Sequence, residues 1–257
     1  MSDNIKLVYL NLVDQDATVI TASTEASFYP VANLKDSRTT KKYRSTSASD
    51  NVVFDFITVE EVDTLIVRAD IFTGRGFTGT LTFEANATDS WGSPAFTTTL
   101  TFQDSFNVGY KILAAAESYR FWRVVATGTS YVELSNICIG KAFIPSRNLS
   151  TDLDYKERDR STYKTNSVGQ RFQTIRNIQD FFNIKFKVLS KAQVEDFMTM
   201  FDATGNTGTI WVIPDNSEFF SPSNYRFASQ FYLRKIPTYN HFSVGLYNLS
   251  LNLEEVI

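Results

Sequence analysis

The most regular signal along the chain is alternation. Val52, Phe54 and Phe56 alternate with Val53, Asp55 and Ile57, and the two-residue period returns from Val62 to Ala69. That period predicts strands with one face buried. Further strands are predicted at Ile5 to Leu10, Thr18 to Thr21, Thr80 to Ala85, Thr97 to Phe102, Phe121 to Ala126 and Tyr131 to Ile139. Between them lie turn-rich stretches: Ser27 to Asp36, a glycine cluster at Gly74, Gly76 and Gly79, and Asp89 to Pro94. Short strands with regular turn signals predict a sandwich or barrel.

Past Ile144-Pro145-Ser146-Arg147, which reads as a linker, the pattern changes. Asp152 to Arg160 interleaves both charge signs and reads either as a solvated connection or as a subunit-contact arm. Phe182, Ile184, Phe186 and Val188 alternate as a strand. Ser190 then stands three residues before Gln193, a capping-box spacing, and Val194, Phe197, Met198 and Phe201 follow at helical spacing. The helix is expected over about 190–203, closed by Gly205. Thr209 to Pro214, Tyr225 to Arg234 and Ser243 to Val256 supply closing strands, with a loop over Asp215 to Ser223. The expectation is an all-β chain with one α-helix: a jelly-roll β-sandwich over 1–143 and a β domain carrying the helix over 144–257.

Several phrases of the first half carry a family resemblance. They are Ala26-Ser27-Phe28-Tyr29-Pro30-Val31-Ala32-Asn33-Leu34-Lys35-Asp36, then Tyr43-Arg44-Ser45, Asn51 to Phe56, Leu81 to Asn86 and Tyr119 to Val124. In that order they resemble the discoidin-like, or galactose-binding-like, sandwich family. The C-terminal phrases are Val188-Leu189-Ser190-Lys191-Ala192, Phe201 to Gly205, Ile210 to Pro214 and Leu251 to Val256. They resemble the tail domain of bacteriophage distal-tail and minor-tail proteins. Together the resemblances imply a non-enzymatic virion part, assembled in the host cytoplasm. Its C-terminal domain would ring the tail channel beside tail tube, hub and fibres, and its N-terminal domain would project outward. The alternatives are a host-surface carbohydrate-binding module and, behind it, a polysaccharide depolymerase.

Composition sharpens this little but excludes much. Phe, at 22 copies, and Tyr, at 12, favour pleated half-buried surfaces and interfaces. Residues 1–143 hold 12 basic and 16 acidic side chains and the rest 13 and 12, so neither half has the excess that phosphate backbones need. The single cysteine, Cys138, reads as a small buried residue of a late strand, in keeping with a reducing cytoplasm. Met1 to Asn4 carries no secretory signal, and no apolar run approaches a membrane span.

Candidate chemistry is thin. A triad would have to use the only histidine, His241, whose surroundings hold no nucleophile elbow. One His and one Cys make zinc improbable. Gly74, Gly76 and Gly79 lie between strands and read as a loop. Glu60-Glu61 and Glu254-Glu255 are sequence neighbours, which strands point to opposite faces; Glu84 and Asp89 would have to converge across a loop. No cofactor is expected. The galactose-binding-like resemblance implies loop carboxylates that hold structural calcium in some members, and Asp36 and Asp50 fall near that loop. Its glycan loops correspond to Tyr29, Arg75, Phe77 and Trp91, which serve equally as packing or partner contacts. Phe181, Phe219, Phe220 and Tyr225 are the candidate subunit-interface residues.

Overall fold

The computed structural model describes residues 4–38, 40–69, 79–100, 108–128, 131–145, 154–174, 178–205, 208–213 and 229–256. The strands of the first half are β1 (Lys6–Val8), β2 (Val19–Ala22), β3 (Tyr43–Arg44), β4 (Ser49–Ala69), β5 (Gly79–Asn86), β6 (Phe96–Leu100), β7 (Val108–Gly128) and β8 (Glu133–Gly140). The second half adds β9 (Asp154–Asp159), β10 (Thr162–Thr165), β11 (Arg171–Thr174), β12 (Ile178–Ser190), helix α1 (Lys191–Thr204), β13 (Thr209–Ile213), β14 (Ser229–Leu233), β15 (Thr238–Ser243) and β16 (Leu246–Glu255). The described residues are thus mostly β with one α-helix.

The first sheet has the order β3-β8-β4-β7-β5-β6, with β2 also paired to β4. Its frame is the antiparallel ribbon of β4 and β7, each 21 residues long. The alternation predicted two strands, over Asn51 to Phe56 and over Val62 to Ala69; they are the two arms of one bent strand. The bend is at Ile57, whose φ of 68° is unusual for a β-branched residue. Asp55 braces it: Oδ1 accepts from the Ile57 N–H at 2.8 Å and from Arg120 Nε at 2.7 Å. Because the ribbon folds over, inward side chains of both arms meet. Val52, Phe54, Trp122, Val124, Leu81 and Phe83 from one arm pack with Leu65, Val67, Ile137 and Ile139 from the other. The arm of β7 that starts at Val108 carried no clear period, since Ala114-Ala115-Ala116-Glu117-Ser118 breaks the alternation.

The second sheet has the order β1-β13-β14-β16-β12-β9, with β15 also paired to β16. Helix α1 covers one face, where Val194, Phe197 and Met200 meet Ile184, Phe186, Leu249 and Leu251. Phe197 sits between the rings of Phe143 and Phe186 at 4.8 and 4.9 Å, and its full burial contributes about 2 kcal/mol. The capping box at Ser190 and Gln193 forms as expected, and Gly205 ends the helix at φ 56°. The expected closing strand over Ser243 to Val256 is β16, and a turn at Gly245 with φ 70° joins it to β15, a strand the pattern did not mark.

Two findings correct the segmental picture. The opening strand does not join the sandwich that residues 1–143 were expected to form: β1 pairs with β13, and Leu7 bridges to Phe143. The physical reason is that Ile5 and Leu7 fill the core under α1 while Val8 faces the other way. The mixed-charge segment, in turn, is β9 at the edge of the second sheet, which runs on into the separate hairpin β10–β11.

The sheets meet through a third apolar cluster. Ile66, Val108 and Cys138 of the first pack with Val8, Trp211 and Ile213 of the second. Strand β8 is buried at every residue because the sandwich core lies on one side and this cluster on the other. Burial pushes the Cys138 thiol well above its ordinary pKa. Among the described residues no helix is long and apolar enough to cross a membrane.

Candidate functional site

Two arginine–aromatic clusters stand at opposite ends of the β5–β7 ladder, where Gly79 faces Gly128 at one end and Asn86 faces Phe121 at the other. The first is built around Arg44, at the end of β3. Its guanidinium lies over the Tyr29 ring at 4.1 Å and the Tyr131 ring at 4.9 Å. Glu133, only 4% exposed, accepts from Arg44 Nε at 2.6 Å and also faces Lys42 Nζ at 3.3 Å. Burial is the largest single influence and opposes the arginine's charge, but the hydrogen bond and charge of Glu133, with Tyr29 and Tyr131, together outweigh it and the pKa is raised. The cation is therefore permanent and held in one orientation.

The neighbouring turn is pinned at both ends to the same residue. Ala26 N–H donates to Arg44 O at 2.9 Å, Arg44 N–H donates to Tyr29 O at 3.1 Å, and Tyr29 N–H closes the turn on Ala26 O at 2.8 Å. Glu25 caps the following turn by accepting from Val31 N–H at 2.9 Å. Beneath, Tyr43 Oη donates to Thr24 O at 2.7 Å, and Ser45 Oγ accepts from Val132 N–H at 2.8 Å. With Ala26 and Tyr29 fixed, Ser27 and Phe28 form the tip. Phe28 is 88% exposed. An unshielded phenyl ring on a fastened turn, beside a clamped arginine and several loop hydroxyls, can stack on the apolar face of a ligand and hydrogen-bond its rim.

The second cluster is built around Arg123 on β7. Glu84 of β5 accepts from its Nε at 2.7 Å, and Trp91 lies over the guanidinium at 4.5 Å. Asp89 accepts from Trp91 Nε1 at 2.6 Å, which fixes the indole on the loop between β5 and β6. Trp91 is half-buried, with one face against Arg123 and its only donor engaged. Glu84 and Asp89, the carboxylates that a hydrolytic reading would pair, are thus bound to Arg123 and Trp91 respectively.

Of the other sequence candidates, Tyr29 belongs to the first cluster and Trp91 to the second, so those two do not share a site. Arg75, Phe77, Phe219, Phe220 and Tyr225 lie outside the described residues. Phe181 is half-buried on the second sheet, with Arg234 over its ring at 5.4 Å and Glu254 opposite in register. His241 is exposed on β15, its ring 5.1 Å from that of Tyr247. The calcium candidates have protein partners of their own. Arg38 Nε donates to Asp36 at 2.9 Å and holds its carboxyl down to about 2. Buried Asp50 accepts from the Ser23 hydroxyl and, at 3.1 Å, from Thr24 N–H. Among the described residues no group of three or more His, Cys, Asp or Glu is placed to hold a metal ion.

Phe28, Arg44, Tyr131 and Glu133 were not singled out from sequence as site residues. The available signal was the pair Phe28-Tyr29 ahead of Pro30, which places two aromatics in a turn.

No protein-family model and no curated protein matches the sequence. Several solved structures are similar to part of it. CpGH89CBM32-6 from Clostridium perfringens is 17% identical and matches over 51% of this chain and 99% of its own, with a TM-score of 0.42. The family 32 CBM of NanJ from C. perfringens, solved in complex with galactose, is 9% identical over 52% and 98%, with a TM-score of 0.43. The Streptococcus pneumoniae fucose binding module SpX-3 is 11% identical over 51% and 98%, with a TM-score of 0.44.

Proposed function

We propose that the sandwich is a non-catalytic carbohydrate-binding domain whose site is the end marked by Phe28, and that the helix-bearing second sheet is its rigid carrier. The observation that supports this best is Phe28 itself, 88% exposed on a turn tied to Arg44. Exposing a phenyl ring while fixing the backbone beneath it carries no benefit for the fold. It does prepay the ordering that binding would otherwise cost. A pyranose presents an apolar C–H face that suits the ring and a hydroxyl rim that suits Arg44, whose Nη1 is not used by Glu133. A glycan array probed with the purified chain tests the reading. Reproducible binding to a defined sugar class, lost in Phe28→Ala and kept in Trp91→Ala, is the expected result. Binding insensitive to Phe28→Ala would reject this site.

A second reading, a virion tail component that assembles with its own copies, draws on a different observation. Among the described residues the hairpin β10–β11 pairs with neither large sheet, and its apolar side chains are exposed. The two readings are compatible, since an outward sugar-binding sandwich and an assembling carrier occupy different halves of the chain.

A further inference from the structure

A guanidinium offers five N–H donors and accepts nothing. At Arg44 one donor edge is spent: Glu133 Oε2 accepts from Nε at 2.6 Å and lies 2.5 Å from Nη2. The rings of Tyr29 and Tyr131 lie against the cation at 4.1 and 4.9 Å. What remains is the tip of the fork, where Nη1 and Nη2 each point an N–H outward in the guanidinium plane. The side chain keeps 22% of its surface in solvent, and Nη1 is not among the buried polar atoms that lack a partner, so the tip is open to a ligand.

The tip is also held in place. Glu133 is only 4% exposed and fixes the guanidinium from behind. The backbone N–H and C=O of Arg44 are the groups that tie down Ala26 and Tyr29. The two donors therefore stand at a set position relative to the turn that carries Phe28.

The donors define the group that fits them. Two parallel N–H bonds from a permanent cation match two coplanar acceptor oxygens with a negative charge, which is a carboxylate. A pair of sugar hydroxyls can accept the same bonds but brings no charge. Charge counts here, because the one carboxylate of Glu133 is shared between Arg44 and Lys42, whose Nζ is 3.3 Å away. A uronic acid meets both requirements of the site. Its pyranose ring keeps an apolar C–H face for Phe28, and its carboxylate projects from the rim of the ring, where the donor tip can reach it.

We propose that the Phe28 end selects glycans that contain uronic acids, with Arg44 determining the specificity through its Nη1–Nη2 tip. This deepens the sugar-binding reading and rests on it.

The test uses a glycan array that carries uronic-acid oligosaccharides from polygalacturonate, alginate and glucuronate polymers beside neutral ones. Calorimetric titration of the full chain then compares the strongest uronate with its methyl ester, which keeps the ring and removes the charge. Phe28→Ala and Arg44→Lys accompany it, the second keeping the cation for Glu133 while losing the fork, and circular dichroism checks that both fold. The expected result is a uronate signal, a preference for acid over ester of about tenfold, and loss of that preference in Arg44→Lys. The preference should also shrink as salt is raised. Signals confined to neutral sugars, or acid and ester bound equally, with binding lost in Phe28→Ala, overturn the acid preference and leave the sugar site standing. A uronate signal that survives Phe28→Ala overturns the Phe28 site and this preference with it. An array blank for every sugar overturns both.

Discussion

Arg44 and Arg123 are the same device used twice with different results. Each guanidinium is held by one carboxylate and lies over aromatic rings. At Arg123 the stacked aromatic, Trp91, is consumed: its face covers the cation and its N–H is taken by Asp89. At Arg44 two tyrosines do the clamping, and a third ring, Phe28, is left over. The difference teaches that an aromatic beside an arginine does not mark a site. The candidate is an aromatic with no structural task, on a backbone that cannot collapse to hide it.

The sharpest way to break the comparison is to remove the two carboxylates. Glu133→Ala leaves Arg44 and Lys42 facing each other across a vacated buried position, and is expected to cost about 3 kcal/mol and to abolish sugar binding. Glu84→Ala, at the other end, is expected to lower stability by about 1–2 kcal/mol and leave binding intact. Denaturant titration and glycan binding of the two variants check this; equal effects on binding would erase the distinction between the ends.

Next in size is Phe28→Ala. Stability should stay within about 0.5 kcal/mol, because the ring touches little. Affinity should fall about tenfold, equivalent to about 1.4 kcal/mol. Trp91→Ala should do the reverse, costing about 1 kcal/mol of stability through its lost contact with Arg123 while affinity is unchanged. Calorimetric titration with the sugar found on the array, beside thermal melts, reads both.

A further effect, read against pH, is a background slope common to both ends. Burial pushes the Asp14 carboxyl up to about 7, against the smaller lowering by Asn11. A raised carboxyl pKa means that the folded state binds the proton more tightly. Its contribution is complete below about pH 4 and is lost as pH rises through about 7. Asp36 acts in the opposite sense and lower down, its contribution falling away as pH drops from about 4 toward 2. Tm should therefore decline between pH 5 and pH 8, and Asp14→Asn should flatten that decline. A wild-type Tm that is level over this range would refute the assignment.

How much of this was legible in the sequence differs by scale. Alternation at Val52-Phe54-Phe56 and at Ile184-Phe186 marked real strands, because one face of each is buried and the other is not. The helix was legible to its cap, since Ser190 and Gln193 act locally. Long-range pairing was not. Nothing in Lys6-Leu7-Val8 reveals that its partner is Trp211-Val212-Ile213, because any apolar edge strand satisfies the same local rules. Strand β9 was hidden for the opposite reason: its charges suit an exposed edge and look like a linker. Tyr29 was expected on a loop as a glycan or partner contact, but its stacking on Arg44 beside Tyr131 joins residues that are apart in sequence and shows only in three dimensions. Trp91 drew attention by its size, and its engagement with Asp89 and Arg123 is visible only in three dimensions.

The most direct test of the central claim is one glycan array read with three proteins in parallel: the wild-type chain, Phe28→Ala and Trp91→Ala. The account predicts a sugar signal in the wild type, its loss in Phe28→Ala and its retention in Trp91→Ala. A signal lost in Trp91→Ala and retained in Phe28→Ala would place the site at the Arg123 end and contradict the account.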